Sequence, residues 1–432
     1  KKMAILPKYF NIDIMQIQRN FYLQQLIDGK QNGLIKIITG IRRCGKSYLL
    51  FTLFHQYLKK TGVMEDHIIK IALDDIESGE LRDPLTLYRY IKAKMVDGEL
   101  YYILLDEVQL VPRFEEVLNS LLRIENADVY VTGSNSKFLS SDIITEFRGR
   151  GDEIHLYPLS LSEYCEGTGQ KPYEAWKDYY TYGGLPHVLT LETEKKKLDY
   201  LSNLFESVYL IDILERHRIK NKSEFEDLVR IVASSIGAPT NTTKLSNTFQ
   251  SVKKVTISYN TIDKCLGYMQ DACIIEKATR FDIKGKKYIG SLAKFYFTDL
   301  GLRNAVLGLR QQEESHIMEN VIYNELRRRG CKVDVGIMEQ RYVGADGKWQ
   351  RKQLEVDFVV NEGSQKYYIQ SALAMPDEDK RKQEMASLMR INDSFKKIII
   401  VKDDIKPWTD ENGIFTIGLL DFLMGNTSVL NM

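Results

Sequence analysis

The stretch Gly-Ile-Arg-Arg-Cys-Gly-Lys-Ser at residues 40–47 decides how the first part of this chain folds. An apolar run, Leu34–Thr39, precedes it, and a helix-like stretch, Tyr48–Lys59, follows it. The pattern G-x-x-x-x-G-K-[ST] between a strand and a helix is typical of a loop whose backbone N–H groups surround phosphate oxygens. The residues therefore predict a phosphate-binding loop (P-loop) in an α/β domain.

Within the P-loop, two glycines allow backbone angles that other residues resist. Lys46 is expected to reach the β- and γ-phosphates of a nucleotide, and the hydroxyl of Ser47 is expected to hold Mg²⁺. The alternative is a glycine-rich turn without a ligand, which the flanking strand and helix disfavour. The predicted nucleotide contacts in this stretch are Gly40, Ile41, Arg42, Arg43, Cys44, Gly45, Lys46, Ser47 and Tyr48.

An acidic pair follows a second apolar run, because Tyr101–Leu105 leads directly into Asp106 and Glu107. Asp106 is expected to bind Mg²⁺, and Glu107 is expected to polarise the attacking water as a general base. A strand followed by a solvated acidic turn explains the pair equally well when it is taken alone. The P-loop upstream favours the catalytic interpretation.

Two further segments supply polar candidates. Ser134 and Asn135 follow the run Val129–Thr132 and could approach the γ-phosphate, although a plain turn after a strand is nearly as good an explanation. Arg148, slightly ahead of Arg150, could act as an arginine finger from a neighbouring subunit. A salt bridge on a loop explains these arginines equally well.

Short apolar runs alternate with helical stretches over the first 160 residues, which predicts a parallel sheet with both faces buried. After residue 161 the pattern turns helical, and strand-like runs return towards the C-terminus. The five predicted strands of the first part are Leu34–Thr39, Ile68–Leu73, Tyr101–Leu105, Val129–Thr132 and Glu153–Tyr157.

Composition limits the classes of function. The chain has 432 residues, of which 60 are Lys or Arg and 59 are Asp or Glu, so a net charge of +1 argues against nucleic-acid binding by the whole surface. A local basic patch remains compatible with it. No apolar run approaches the roughly 18 residues of a membrane span, and no signal peptide is expected. Five scattered cysteines without a C-x-x-C pair favour a reducing, cytoplasmic setting.

Taken together, the motifs resemble an AAA+-type ATPase of the AAA_14 group. The matching segments are TGIRRCGKS at 39–47, LLDEVQ at 104–109, TGSNS at 132–136, FRGR at 147–150 and YPLSLSEY at 157–164. The resemblance implies ATP and Mg²⁺ as cofactors, a core over residues 1–160 and a helical lid over residues 161–222. It also implies that Ser134 or Asn135 is a sensor residue. In the lid, Gly183–Pro186 resembles a G-G-x-P element, which implies that Pro186 packs near adenine; a helix–helix turn is compatible with the same residues.

Residues 223–300 resemble a winged helix, with Tyr259–Gln270 as its reading helix and Lys284–Lys287 as the tip of its wing. Because Asp263 and Asp271 accompany the single lysine, Lys264, contact with a protein or with another domain is at least as well supported as contact with DNA. This part could therefore bind DNA or a protein partner.

Residues 301–432 resemble the DUF4143 domain and a PD-(D/E)xK nuclease fold. Glu319 and Asp357 match the metal-binding carboxylates of such nucleases, whereas Gln370 and Ala372 stand where a carboxylate and a lysine are expected. A neutral amide is a poorer ligand than a carboxylate for a hard cation. We therefore expect a catalytically inactive module with a binding or scaffold role, and residual nuclease activity is the alternative.

Three functions follow from these features. The leading one is an ATPase whose Mg²⁺-dependent turnover switches the position of the attached modules, alone or in an oligomer. The second is an ATP-dependent DNA-processing enzyme, either a translocase or a nuclease. The third is a nucleotide-binding regulatory or assembly protein with little turnover.

Overall fold

A computed structural model describes residues 17–133, 149–255, 257–310, 313–343, 348–375 and 378–425. Two β-sheets organise these residues, one with five strands and one with eight. A largely helical segment connects the two sheets along the chain.

The five-stranded sheet contains the P-loop. Its strands have the order β2-β3-β4-β1-β5, and every neighbouring pair is parallel. Helices cover both faces, since Ile35 and Ile37 pack into one hydrophobic cluster while Ile38 packs into another. All five predicted runs therefore form strands of a parallel sheet, as expected for runs that are buried on both sides. The strands are β1 (Ile35–Thr39), β2 (Ile68–Ala72), β3 (Tyr101–Asp106), β4 (Ala127–Thr132) and β5 (Gly151–His155).

The helices of this domain follow the strands in alternation. The helical segment after the P-loop is continuous from Lys46 to Lys60 and is π-helical over Leu49–Phe54. Asp83 caps the helix after β2 by accepting the backbone N–H of Thr86, and Pro84 occupies its first turn. The other helices are Asn20–Asp28, Pro84–Lys94 and Phe114–Leu121, with 3₁₀ turns at Glu65–His67, Ile76–Arg82 and Val108–Leu110.

The connecting segment is helical, as predicted. Its first helix begins with a capping box in which Ser160 accepts the N–H of Glu163 and the Glu163 carboxylate accepts the N–H of Ser160. Its helices are Leu161–Thr168, Pro172–Tyr182, Pro186–Thr190, Glu194–Leu204, Phe205–Leu210, Ile211–Arg216, Lys222–Ser234, Thr242–Thr248, Phe249–Lys253 and Tyr259–Asp271.

The second sheet has the order β12-β13-β11-β10-β9-β8-β6-β7. The hairpin predicted as a wing forms β6 and β7, and β6 pairs in parallel with β8. One sheet therefore runs across the predicted boundary at residue 300, and the division into four domains stays a prediction, as do the winged-helix and nuclease-like folds. The strands are β6 (Ile275–Asp282), β7 (Lys287–Phe297), β8 (Lys332–Val343), β9 (Trp349–Glu362), β10 (Gln365–Ala372), β11 (Lys396–Val401), β12 (Trp408–Thr409) and β13 (Ile414–Gly418).

Helices pack beside this sheet, and the longest of them begins at Glu314 and ends at Arg328. None of the helices in the described ranges is both long and apolar enough to cross a lipid bilayer. The remaining helices are Leu300–Val306, Glu378–Met385, Leu388–Arg390 and Leu419–Met424.

Candidate functional site

The P-loop connects the end of β1 to the helix that begins at Lys46. Gly40 has φ 131° and Gly45 has φ 103°, in the region that favours glycine. A Cβ on Gly40 would also overlap the carbonyl oxygen of Leu156. Ile41 and Cys44 are buried in the core, so their side chains anchor the loop and their backbone groups are the parts that can face a phosphate.

Lys46 is buried inside this loop, with 5% of its side chain exposed. Its Nζ donates to the carbonyl oxygens of Gly40 at 2.9 Å and Ile41 at 3.1 Å. The ammonium group is thus held at the mouth of the loop by weak neutral acceptors rather than by a carboxylate. A phosphate oxygen would be a stronger, charge-assisted acceptor for the same group.

The acidic pair meets the P-loop across β4, which lies between β1 and β3 in the sheet. The Thr132 hydroxyl at the tip of β4 donates to the Asp106 carboxylate and accepts the backbone N–H of Glu107 at 3.1 Å. The Ser47 side chain lies close enough to Asp106 to lower the pKa of that carboxyl. Burial raises the pKa of Asp106, and the side chains of Thr132 and Ser47 oppose that rise. The structure therefore brings together the two residues predicted to hold a metal.

A hydroxyl and a carboxylate side by side fit the preference of Mg²⁺ for oxygen ligands. Ser47 and Asp106 are the residues that could hold this ion, with Lys46 on the phosphate side of the same pocket. Thr132 was not predicted as a site residue. Its signal in the sequence is a hydroxyl at the last position of a buried strand whose neighbours carry the other site residues.

Glu107 lies in the left-handed region, with φ 53° and ψ 46°. A non-glycine residue there costs roughly 1–2 kcal/mol, and such strain is often found at functional sites. The Gln109 Nε2 donates to the Glu107 carboxylate, while the Gln109 Oε1 is buried and has no hydrogen-bond partner among the described residues. Gln109 was also not predicted as a site residue, although it closes the segment LLDEVQ.

The structure describes only some of the other polar candidates. Ser134, Asn135 and Arg148 lie outside the described residues. Arg150 is exposed, and its Nη1 donates to the Asn119 Oδ1 at 3.1 Å. Arg42 and Tyr48 are half-buried to exposed, and the Arg42 guanidinium lies 3.5 Å from the carboxylate of Asp212 in the helical segment. An arginine finger therefore stays a prediction.

The turn at Gly183–Pro186 lies against the P-loop. The Pro186 Cγ is 3.9 Å from the point where a Cβ on Gly45 would stand. The backbone N–H of Leu159 donates to the Gly184 carbonyl at 2.8 Å, and a Cβ on Gly184 would overlap the Leu159 oxygen. Gly184 is thus fixed by close packing, and Pro186 lies beside the P-loop. Contact of Pro186 with adenine is a prediction.

Asp299, at the start of a short helix after β7, holds this turn from the other side. Its Oδ2 accepts the Gly184 N–H at 2.8 Å, and its Oδ1 accepts the Leu302 N–H at 2.9 Å as the helix cap. Burial raises the pKa of Asp299 to about 6, although these backbone donors oppose the rise. One carboxylate therefore links the turn beside the P-loop to the helix that follows β7.

The carboxylates predicted from the nuclease resemblance do meet, and they surround a lysine. Lys294 of β7 is buried, and its Nζ lies 2.8 Å from Glu319, 2.7 Å from Glu355 and 4.0 Å from Asp357. Burial would lower the pKa of Lys294, and the three carboxylates raise it instead. Lys294 precedes the predicted module 301–432 in the chain, so the sequence did not indicate this cation, and the catalytic inactivity of the module stays a prediction.

Two of the three acids in this cluster, Glu319 and Asp357, are buried. Burial and the neighbouring Glu319 raise the pKa of Asp357 to about 8, with Lys294 opposing the rise. Gln370 contacts the backbone of Asp357, with its Oε1 accepting the Asp357 N–H at 3.4 Å. Among the described residues, no group of three or more His, Cys, Asp or Glu side chains is arranged to hold a metal ion. In this cluster the Lys294 ammonium occupies the position between the carboxylates.

Two family models match the chain. Residues 32–165 match AAA_14, described as an AAA domain, and this confirms the AAA_14 resemblance for the part that contains the P-loop and the acidic pair. Residues 173–313 match DUF8612, a domain of unknown function. DUF8612 rather than DUF4143 is thus the family found after the AAA domain, and the DUF4143 resemblance is unconfirmed.

Several proteins are similar along most of their length. An uncharacterized protein of Haemophilus influenzae is 32% identical over 414 residues, which cover 94% of this chain and 98% of that protein. The uncharacterized protein MJ1544 of Methanocaldococcus jannaschii is 28% identical over 375 residues, covering 83% of this chain and 79% of that protein. Among solved structures, the Walker-type ATPase paby2304 of Pyrococcus abyssi has 15% identity and a TM-score of 0.49, and the match covers 70% of this chain and 99% of that chain.

Proposed function

Because this chain belongs to the same family as its Haemophilus influenzae relative and contains an AAA_14 P-loop domain, we propose that it binds and hydrolyses ATP with Mg²⁺. We propose further that this turnover changes how the helical segment and the second sheet are held against the P-loop domain. The first half of the proposal rests on the P-loop, and the second half rests on the contact of Asp299 with the turn beside it.

The residues divide the chemistry among them. Lys46 would offset negative charge on the β- and γ-phosphates, and the loop N–H groups would fix their position. Ser47 and Asp106 would hold Mg²⁺, which supplies charge neutralisation on the phosphate oxygens. Glu107 would accept a proton from the attacking water.

One observation supports the proposed conformational switch. Pro186 lies beside Gly45 of the P-loop, and two residues earlier the backbone N–H of Gly184 is held by Asp299. A nucleotide that changes the shape of the P-loop would displace Pro186. Gly183 and Gly184, which are held by close packing, would transmit that displacement to Asp299 and to the helix Leu300–Val306. A ligand shifts such an equilibrium only through different contacts in the two states, and Pro186 is the residue that would supply them.

Steady-state hydrolysis and amide hydrogen exchange test the two halves separately. We expect Lys46→Ala to lose nucleotide binding, and Glu107→Gln to keep binding and lose at least a hundredfold in turnover. In the wild-type chain, Mg-ATP should change the exchange rates of the Gly184 and Leu302 amides, both of which donate to Asp299. ATP turnover without any change in the exchange rates of these amides would support the ATPase activity and would refute the switch.

A second candidate, nucleotide binding with little turnover, is favoured by the contact between Glu107 and Gln109. A carboxylate that accepts a side-chain N–H is partly occupied, and it must change partners before it can accept a proton from water. ATP that stays bound through purification, with a hydrolysis rate that Glu107→Gln leaves unchanged, would identify this candidate. Turnover that depends on Glu107 would exclude it.

A further inference from the structure

The ends of β8 and β9 form a two-stranded ribbon that extends beyond the rest of the second sheet. β8 pairs with β6 only over Val335–Ile337, and β9 pairs with β10 only over Phe358–Glu362. The ladder between β8 and β9 nevertheless continues to the pair Val343 and Trp349. We call residues 339–343 and 348–353 the basic arm; these residues are exposed or half-buried wherever their side chains are described.

The basic arm concentrates positive charge in a chain whose net charge is only +1. Its residues include four cations and one carboxylate. That carboxylate, on Glu339, lies 3.2 Å from the Arg351 guanidinium, and both side chains are largely exposed to solvent. By sequence these cations are Arg341, Lys348, Arg351 and Lys352, of which Lys348, Arg351 and Lys352 have described side chains that are exposed.

The turn between β6 and β7 adds lysines at the base of the arm. β6 runs parallel to β8, Asp282 pairs with Ile337, and the Ile283 N–H donates to the Ile337 carbonyl at 3.0 Å. The turn that follows therefore lies at the same end of the sheet as the arm. Its exposed lysines, which lie in the predicted wing tip, are Lys284, Lys286 and Lys287.

Aromatic and apolar side chains lie exposed among these cations. Trp349 is 74% exposed, and its cross-strand partner Val343 is 54% exposed. Tyr288, beside the lysine turn, is 66% exposed, and its hydroxyl contacts Asp334 at 3.2 Å. A tryptophan that is mostly exposed at the end of a ribbon contributes little to folding, because most of its apolar area stays in water.

We propose that the basic arm binds single-stranded nucleic acid, with its Lys and Arg side chains on the phosphates and an unpaired base stacked on Trp349. Aromatic rings interleaved with cations are the general means of holding a single strand, because every base offers a face for stacking. A base within a duplex is already stacked on both faces, so it cannot stack on Trp349. A membrane surface fits less well, since it requires one apolar face. Side chains alternate between the two faces of a ribbon, so Arg351 shares the face of Trp349 and Lys352 lies on the other.

Fluorescence anisotropy with labelled oligothymidylate and oligouridylate, at low salt and with the full chain, tests this inference. The triple variant Lys348→Glu, Arg351→Glu, Lys352→Glu should bind at least tenfold more weakly, and its dependence on salt should be shallower by about 2 in log–log slope, since each lost phosphate contact removes about 0.7. A matched control, Lys60→Glu with Lys195→Glu and Lys196→Glu, makes the same charge change at exposed positions outside the arm. It should bind within about twofold of the wild type, as should Lys46→Ala, because the arm does not depend on ATP.

Stacking has its own test. Binding should quench tryptophan fluorescence, and Trp349→Ala should lose that quenching and roughly tenfold in affinity. Trp408→Ala is the control, since Trp408 is only 39% exposed and lies under the Arg381 guanidinium. Wild-type protein that binds neither oligonucleotide would overturn the proposal, and so would equal losses in the arm and control variants. Duplex DNA bound as tightly as single strands and regardless of Trp349, or phosphatidylserine vesicles bound in place of oligonucleotides, would also overturn it.

Discussion

The Asp299 carboxylate accepts the backbone N–H of Gly184 across 115 positions of the chain, at 2.8 Å. Asp299 is buried, and its other oxygen caps the helix that begins at Leu300. Because Gly184 belongs to the turn that also brings Pro186 to the P-loop, this hydrogen bond joins the nucleotide site to the second half of the protein. Most of the following predictions examine that junction and the site beside it.

Replacing Asp299 with Asn should change how stability depends on pH. The pKa of Asp299 is raised by burial from 3.8 to about 6, so between these values the folded chain holds a proton that the unfolded chain has lost. The contribution of Asp299 to the free energy of unfolding is therefore greatest below pH 3.8. It falls by up to about 3 kcal/mol as the pH rises to about 6. Thermal melts of Asp299→Asn should gain stability relative to wild type across that window. A difference between the two proteins that stays constant with pH would contradict this assignment.

Gly183→Ala should weaken the junction directly. Gly183 has φ 76°, and a Cβ there would overlap the Asp299 carboxylate, so strain and a clash combine to about 2–4 kcal/mol. Gly169→Ala controls for a positive φ alone, since Gly169 has φ 70° with ψ 8°, against ψ −169° at Gly183, and a Cβ there would meet no atom within 4 Å. The control should lose only about 1–2 kcal/mol in urea unfolding. Equal losses in both variants would show that packing against Asp299 adds nothing.

Gln109→Ala should raise ATP turnover. Gln109 donates to the Glu107 carboxylate, and without that contact the carboxylate is more available to a water molecule. We expect an increase of at least about tenfold in kcat with an unchanged KM, because a hydrogen bond to a charged carboxylate contributes about 1.5–3 kcal/mol. Single-turnover hydrolysis measures this step. A loss of activity would instead mean that Gln109 positions Glu107 for catalysis.

Lys294→Met should be strongly destabilising. It would leave Glu319, Glu355 and Asp357 without the cation that lies between them, and removing one partner of a buried ionic cluster costs about 3–5 kcal/mol. Lys277→Met, at an exposed position on the neighbouring strand β6, should change stability by less than about 0.5 kcal/mol. Chemical unfolding compares the two. If Mg²⁺ restored the stability of Lys294→Met, the carboxylates would be a metal site that the lysine otherwise fills.

Local patterns predicted the P-loop side of the molecule well. The strand, the glycine-rich loop and the helix around Lys46 are adjacent in sequence, and the apolar run before Asp106 marks a buried strand in the same way. In a parallel sheet the ends of such strands meet at one edge, so the closeness of Ser47 and Asp106 follows from the fold. The five strands were predicted from such local patterns, whereas the proximity of Pro186 to Gly45 was not predicted and depends on tertiary packing.

Contacts between distant strands were not predictable in this way. Lys294 stands 25 positions before Glu319, and no local pattern indicates that β7 carries it to the three carboxylates. From the sequence, Asp299 is likewise an ordinary helix cap. Its hydrogen bond with the Gly184 N–H depends on tertiary packing. The pairing of β6 with β8, which makes the predicted wing part of a larger sheet, also depends on a register that single-sequence patterns do not contain.

Calorimetric titration of ATP with Mg²⁺ into the purified chain measures directly whether the P-loop binds nucleotide. We expect one saturable site in the wild type, which is lost in Lys46→Ala and kept in Glu107→Gln. Because Lys46 donates, among the described residues, to the carbonyl oxygens of its own loop, its removal should spare the fold, and a thermal melt checks that. A folded wild-type chain that releases no heat with Mg-ATP, or a Lys46→Ala variant that binds as tightly as the wild type, would contradict the account.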